Sequence, residues 1–256
     1  MEATRRALSR RQLLLALAGT TVCGSAGAFG QEGAFHPRIL LTGGLSWGGS
    51  RESAPGRWAW EMVRRTSAPG RLVTKTVRAD DTALLTEPFV VWSGDSTIPR
   101  LSEPEIRSLR QFIRLGGVLL VDDADPLGHA FGDAARRELR RVLPRAPIVK
   151  LPKSHVIYKS FYLVDRPVGR VEGPATLEAM LPSRTAQVLF SSHDLLGALA
   201  RNRAGAWALD VEPGGALQRE RALRMAVNLG MYVLCSDYKD DQVHAAEIMR
   251  RRGSGR

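Results

Sequence analysis

SEPEIRSLRQFIRLGGVLLVDD, residues 102–123, contains one helix and one strand in full. Ser102 and Glu105 match a capping box, in which each side chain bonds a free N–H at the helix start. Apolar residues then recur at helical spacing, and Gly116-Gly117 ends the helix because glycine tolerates the left-handed cap. The apolar run that follows predicts a buried strand leading directly into an acidic loop.

Similar units occur on both sides of this stretch. Strands that alternate with helices predict an α/β fold: a single domain with a three-layer, mostly parallel sheet. The predicted strands are Arg38–Thr42, Val73–Val77, Pro88–Gly94, Val118–Val121, Gln187–Ser192 and Ala206–Val211. The predicted helices are Arg57–Thr66, the capped helix after Ser102, one capped by Asp133 that continues to Val142, and Arg221–Cys235.

In a parallel sheet, ligands bind beyond the carboxyl ends of the strands. Four loops should meet at that edge, because each follows a predicted strand. They are Gly43–Gly56, Ser93–Ser96, Asp122–His129 and Ser191–Asp194.

Residues 1–28 resemble a twin-arginine signal peptide. Arg10 and Arg11 precede a short apolar run, Leu13–Val22, and Ala26-Gly27-Ala28 is a small-x-small cleavage pattern. The sequence thus predicts export of the folded protein to the periplasm. The alternative is a signal that is not cleaved and anchors the chain in the membrane, although the apolar run is about half the length of a membrane span.

After cleavage, residues 29–245 form the predicted domain and residues 246–256 a basic tail that we expect to be disordered. The full chain carries a formal net charge of +11. Its arginines are scattered and not interleaved with aromatic residues, so nucleic-acid binding is not expected. We expect no transmembrane span in the mature chain, and partners among other envelope proteins.

Only two cysteines are present, Cys23 in the signal and Cys235. A single cysteine in the mature chain excludes a disulfide framework and a cysteine-rich metal site. Cys235 follows apolar residues on a predicted helix, so we expect a buried, inert thiol.

Several segments, in this order and spacing, resemble the bacterial domain-of-unknown-function 4159 family from about Phe35 to Arg252. The segments are Gly116–Asp123, His155 within Leu151–His155, Glu172-Gly173, Ser191–Leu195, Asn228–Tyr232 and Tyr238–His244. The resemblance implies a flavodoxin-like sheet related to class I glutamine amidotransferases, and no established activity. Some relatives are longer and membrane-attached, which suggests an envelope setting.

Amidotransferase chemistry needs a thiolate nucleophile on a strand-to-helix turn. This chain has Val121-Asp122-Asp123 at the strand end and no cysteine nearby. Our leading interpretation is therefore a non-catalytic envelope protein that binds a ligand or a partner.

The alternative is a metal-assisted hydrolase centred on the acidic loop. Asp122, Asp123 and Asp125 could hold a divalent cation, since hard cations take oxygen ligands. The sequence indicates no other cofactor. The spacing matches no specific metal loop, and the same aspartates could instead bond local N–H groups.

His155, His193 and Asp194 complete that alternative site, because an imidazole near carboxylates can act as a general base or a metal ligand. His193-Asp194 ends a predicted strand and should face the acidic loop. Histidines in loops commonly serve as hydrogen-bonding residues, and Asp194 could equally cap a helical turn at Leu195–Ala200.

Gly43, Gly44 and Trp47 lie in a glycine-rich loop that could hold a ligand through backbone N–H groups. Gly94 ends the neighbouring strand and is a further predicted ligand-binding residue. The loop lacks the lysine of a P-loop and does not match the dinucleotide fingerprint.

Overall fold

The computed structural model describes residues 33–183 and 185–253, and for residues 237–253 only the backbone. The predicted signal peptide, residues 1–28, lies outside the described residues. So do the last three residues of the predicted tail.

Over the described residues, seven strands form one sheet in the order β2-β1-β3-β4-β7-β6-β5. Five of them, β2, β1, β3, β4 and β7, are parallel, whereas β6 is antiparallel to both β7 and β5. The strands are β1 (Arg38–Leu41), β2 (Thr76–Arg78), β3 (Phe89–Gly94), β4 (Val118–Asp123), β5 (Ile148–Lys150), β6 (Glu178–Met180) and β7 (Val188–Ser191). This confirms the predicted single-domain α/β fold with a mostly parallel sheet, and it is consistent with a flavodoxin-like arrangement.

The same residues contain five α-helices, which cover both faces of the sheet. They are α1 (Ala54–Thr66), α2 (Glu103–Arg114), α3 (Ala130–Val142), α4 (Leu195–Leu199) and α5 (Gly215–Gly253). Helices α1, α4 and α5 pack together on one face, and α2 and α3 pack together on the other. No helix in the described part of the chain is long and apolar enough to cross a membrane.

The alternation of side chains along β4 divides the core in two. Val118 and Leu120 belong to the core beneath α1, α4 and α5, whereas Leu119 and Val121 belong to the core beneath α2 and α3. Successive side chains of a strand point to opposite faces. The two aspartates that end β4 therefore leave the sheet on opposite sides.

The capping box predicted at the start of α2 is confirmed. The Ser102 hydroxyl accepts a hydrogen bond from the Glu105 N–H, and the Glu105 carboxylate accepts one from the Ser102 N–H. Gly116 has a φ of 95° after the helix end. Gly117 is required for packing, since a Cβ there would lie 2.5 Å from the Phe112 ring.

One predicted strand is absent, and two strands of the sheet were not predicted. Residues 206–211 form no strand, because the Asn202 side chain accepts the N–H groups of Ala204 and Ala206 and holds the chain in a turn. Strands β5 and β6 were not predicted. Each has three residues, too few to show a repeating pattern.

Three helices begin or end away from their predicted limits. Helix α1 begins at Ala54, since proline is tolerated in a first turn, and α3 begins at Ala130 with Asp133 inside the first turn. Helix α5 runs from Gly215 to Gly253, so the predicted boundary at residue 245 falls inside a helix. Cys235 is exposed on this helix, which corrects the prediction of a buried thiol.

Candidate functional site

The four loops predicted to meet at the carboxyl ends of the strands do so. They follow β1, β3, β4 and β7, which are parallel neighbours in the sheet. We call this side of the sheet the carboxyl edge.

Asp122, at the end of β4, is fully buried at this edge. Its two carboxylate oxygens accept the N–H groups of Leu195 and Leu196, at 2.9 and 2.8 Å. Burial, with a smaller contribution from the charge of Asp194, raises the pKa of Asp122 to about 7. Both oxygens are therefore held by the first turn of α4, and the group is sealed from solvent.

Asp194 is the N-cap of α4, which confirms the predicted cap of a helical turn at Leu195–Ala200, and it too is fully buried. It accepts the Gly197 N–H at 3.0 Å and two hydrogen bonds from Arg51, at 2.7 and 2.6 Å. Arg170 donates to the same carboxylate. The φ of Asp194 is 52°, a backbone conformation that a short polar side chain tolerates.

Asp122, Asp194, Arg51 and Arg170 form what we call the acid–arginine network. Sequence reasoning missed both arginines. Arg51 lies 143 positions from Asp194, and no local pattern connects the two. The network joins the glycine-rich loop, the end of β4, the segment around Arg170 and the start of α4.

The other two aspartates of the acidic loop point elsewhere. Asp123 accepts the Asp125 N–H at 3.2 Å and packs against α3, where a Cβ on Gly132 would lie 2.4 Å from its Oδ2. Burial raises the pKa of Asp123. Asp125 is exposed and accepts the Gly128 N–H at 3.3 Å.

The predicted metal site at Asp122, Asp123 and Asp125 receives no support from this arrangement. No group of three or more His, Cys, Asp or Glu residues in the described part of the chain is placed to hold a metal ion. Asp123 and Asp125 match the other interpretation of the loop, because they bond local N–H groups, whereas Asp122 bonds the distant N–H groups of Leu195 and Leu196.

His193 lies at the carboxyl edge, as predicted, but is 2% exposed. Its Nε2 donates to the Pro174 carbonyl at 3.0 Å, so Nδ1 carries the lone pair, and Nδ1 has no hydrogen-bond partner among the described residues. Burial lowers the pKa of His193 to about 4. Gly169 and Gly173 pack against it, and a Cβ on Gly173 would lie 2.9 Å from the ring. The ring is therefore neutral at pH 7 and closed to solvent.

His155 lies at the opposite edge of the sheet. Its Nδ1 accepts the Ile157 N–H at 3.3 Å and so caps a short 3-10 helix, and its ring lies 5.8 Å from that of Tyr232. The Tyr232 hydroxyl bonds the backbone of Ala186, just before β7 begins. The structure thus does not bring His155 to the acidic loop.

Three glycines predicted to bind a ligand have structural explanations. The N–H of Gly43 donates to the Glu105 carboxylate at 2.8 Å, so this N–H group is not free to bind a ligand. Gly43 and Gly44 have φ values of 55° and 78°. A Cβ on Gly94 would lie 2.7 Å from the Phe131 ring.

Trp47 lines an open cavity of about 860 Å³, which we call the flank cavity. The cavity lies between the glycine-rich loop, the outer strand β2 and the segment 201–208. Its lining includes Trp47, Ser50, Thr74, Thr76, Arg201 and Arg203. Sequence reasoning identified Trp47 but missed the two arginines, because they are distant from Trp47 in sequence and belong to no predicted motif.

The model of a family described as a domain of unknown function (DUF4159) matches residues 39–234 of the chain. The match covers six strands of the sheet and all of β1 except Arg38. A search of curated proteins found no relative with significant similarity.

Proposed function

We propose that this chain, which belongs to the domain-of-unknown-function 4159 (DUF4159) family, is a non-catalytic binding domain of the bacterial envelope. Its sheet carries no nucleophilic cysteine at the carboxyl edge. In its place the edge holds carboxylates and arginines that bond one another, with an open cavity beside them.

The saturation of the two central carboxylates supports this proposal. A general base must reach a proton on its substrate. Asp122 has both oxygens occupied by backbone N–H groups, and Asp194 is bonded by Arg51, Arg170 and Gly197. Neither group is exposed, and the neutral His193 beside them is sealed as well.

Hydrolysis assays of the purified protein test the absence of catalysis. Chromogenic esters, amides, phosphoesters and glycosides should show no turnover above that of the Asp122→Asn and His193→Gln variants. Turnover that either variant abolishes would contradict the proposal and favour the hydrolase. A thermal-shift series with divalent metals belongs to the same test, because a shift that Asp122→Asn removes would also favour the hydrolase.

Export by the twin-arginine route is a separate part of the proposal, supported by Arg10-Arg11 and the short apolar run behind them. Replacing both arginines with lysine should leave the protein in the cytoplasm, since the paired arginines are the address that the export receptor reads. Fractionation of cells that express each form measures this. Unchanged export of the lysine form would disprove the route and leave the binding role untouched.

A further inference from the structure

The flank cavity is built on a rigid base. The Ser53 hydroxyl donates to the Arg201 carbonyl and accepts the Arg201 N–H, both at 2.7 Å. This pair of bonds fixes the segment 201–208 against the start of α1. A volume of about 860 Å³ lies within the range of small-molecule sites, about 300–1,000 Å³.

Arg201 carries an uncompensated positive charge beside this cavity. No ion pair among the described residues includes Arg201 or Arg203. The Arg201 guanidinium stacks on Trp207 at 3.3 Å and donates to the Gly205 carbonyl, while its buried Nε–H has no partner in the described residues. The Nε–H is closed to the cavity, so the remaining N–H groups of the guanidinium are the donors available to an anionic group there.

Two neighbouring arginines lie close to the charge of Arg201, and one of them, Arg57, is paired with Glu61. Arg57 and Arg219 lie over the same Trp207 ring as Arg201, at 5.7 and 4.2 Å. Burial lowers the pKa of both, and the charge of Arg201 lowers it further. Glu52 is the one acidic residue among the described residues that line the cavity, which leaves the two lining arginines in excess.

The other residues that line the cavity indicate which further groups the ligand carries. Ser50, Thr74 and Thr76 add hydroxyl groups to the lining, and the Asn202 amide adds a donor. Trp47 offers an aromatic face that is partly exposed. Hydroxyl groups pair with hydroxyl groups of a ligand, an aromatic face packs against a flat apolar one, and a guanidinium binds a carboxylate through two parallel bonds.

We propose that the flank cavity binds a hydroxyl-rich small molecule that carries a carboxylate, of the kind found in the uronate units of acidic saccharides. Arg201 and Arg203 bind the carboxylate, the Ser and Thr hydroxyls bind the sugar hydroxyls, and Trp47 covers the ring. This inference rests on the proposed binding function and assigns the class of its ligand.

Calorimetric titration of the purified protein with a diglucuronate tests the assignment, with the matched neutral diglucoside and glucose 6-phosphate as comparison ligands. Diglucuronate should bind and the diglucoside should not. Arg203→Gln should weaken binding about tenfold, the usual effect of removing one charge-assisted bond. Arg107→Gln is the control, since Arg107 is exposed on α2 at the other face of the sheet.

Two further variants keep the test decisive. Arg201→Lys retains the charge but not the two parallel bonds, so it should bind more weakly than the wild type and more strongly than Arg201→Gln. Thr76→Tyr should fill the cavity and abolish binding without unfolding the sheet, because tyrosine is favoured in strands.

The possible results separate this inference from the proposed function. Equal binding of diglucuronate by the wild type and Arg203→Gln, or no binding at all, would overturn the carboxylate assignment. Binding of glucose 6-phosphate alone would also overturn it and assign a phosphate ligand. None of these binding results is evidence for or against catalysis at Asp122, so the non-catalytic role is tested only by the hydrolysis assays.

Discussion

The acid–arginine network at the centre of the carboxyl edge and the flank cavity beside β2 use arginine in opposite ways. At the centre, Arg51 and Arg170 both donate to the buried Asp194. At the flank, Arg201 and Arg203 line an open cavity and form no ion pair with any described residue. The difference indicates that charge at the centre supports the structure, whereas charge at the flank is available to a ligand.

Removal of the shared carboxylate at the centre should have the largest effect. Asp194→Ala leaves Arg51 and Arg170 without a counter-charge and removes the cap of α4, so we expect the free energy of unfolding to fall by about 3–5 kcal/mol. Chemical denaturation measures it. Asp125→Ala is the control, because Asp125 is exposed and should change stability by less than about 0.5 kcal/mol. Equal effects of the two substitutions would contradict the structural role of the centre.

The pH dependence of stability should reveal two opposing groups at the centre. The raised pKa of Asp122 means that the folded protein keeps a proton that the unfolded chain has lost, so stability falls as the pH rises from about 4 to 7. The lowered pKa of His193 means that the unfolded chain binds a proton that the folded protein does not bind. Stability therefore falls as the pH decreases from about 6.5 to 4.

These two effects should largely cancel in the wild type between about pH 4.5 and 6.5. In that interval His193→Gln should lose stability as the pH rises, and Asp122→Asn should gain it, each by about 1 kcal/mol per pH unit. Unfolding curves collected across the interval give both slopes. Parallel slopes in the two variants would show that the groups do not titrate as their burial requires.

A smaller effect should follow from closing the space above His193. Gly173→Ala places a Cβ 2.9 Å from the His193 ring and 2.5 Å from the Ser192 carbonyl, which should cost about 1–3 kcal/mol. Thermal unfolding measures the loss. Gly48→Ala on the glycine-rich loop is the matched control, since a Cβ there meets nothing within 4 Å. A Gly173→Ala protein as stable as this control would show that the seal over His193 is loose.

The smallest effect on stability should come from the flank. Arg203 is exposed and forms no ion pair with a described residue, so Arg203→Gln should change the free energy of unfolding by less than about 0.5 kcal/mol. Chemical denaturation of Arg203→Gln and Asp194→Ala under the same conditions compares the contribution of the two regions to stability. A loss of stability comparable to that of Asp194→Ala would make the flank structural as well.

Much of this fold could be predicted from local sequence. The capping box at Ser102 and the glycines after α2 are local signals, and the alternation of strands and helices gives the parallel sheet. Asp194 could be predicted as a helix cap because its partner, the Gly197 N–H, is three residues away. The meeting of the four loops follows from parallel strands alone.

The candidate site was less predictable because its contacts are distant in sequence. The pairing of Arg51 with Asp194 arises only when the sheet brings the loop after β1 close to the end of β7. The side chains of Asp122 and Asp123 separate because neighbouring residues of a strand face opposite sides. His155 matched a catalytic residue type, but its ring lies against Tyr232, whose hydroxyl bonds Ala186 just before β7 begins. The segment 206–211 shows the same limit, because Asn202 overrides its apolar pattern with a turn.

The acid–arginine network also has a kinetic consequence. Its bonds join parts of the chain separated by 24 to 143 positions, so none of them can form until the central strands are in place. Closing loops of that length costs conformational entropy, and only the contacts of the assembled sheet offset this cost. The amide hydrogens of Leu195 and Leu196 are bonded to Asp122 of this network, and they should exchange with solvent only when the whole domain unfolds. Their exchange rates are thus a measure of how often the complete sheet opens.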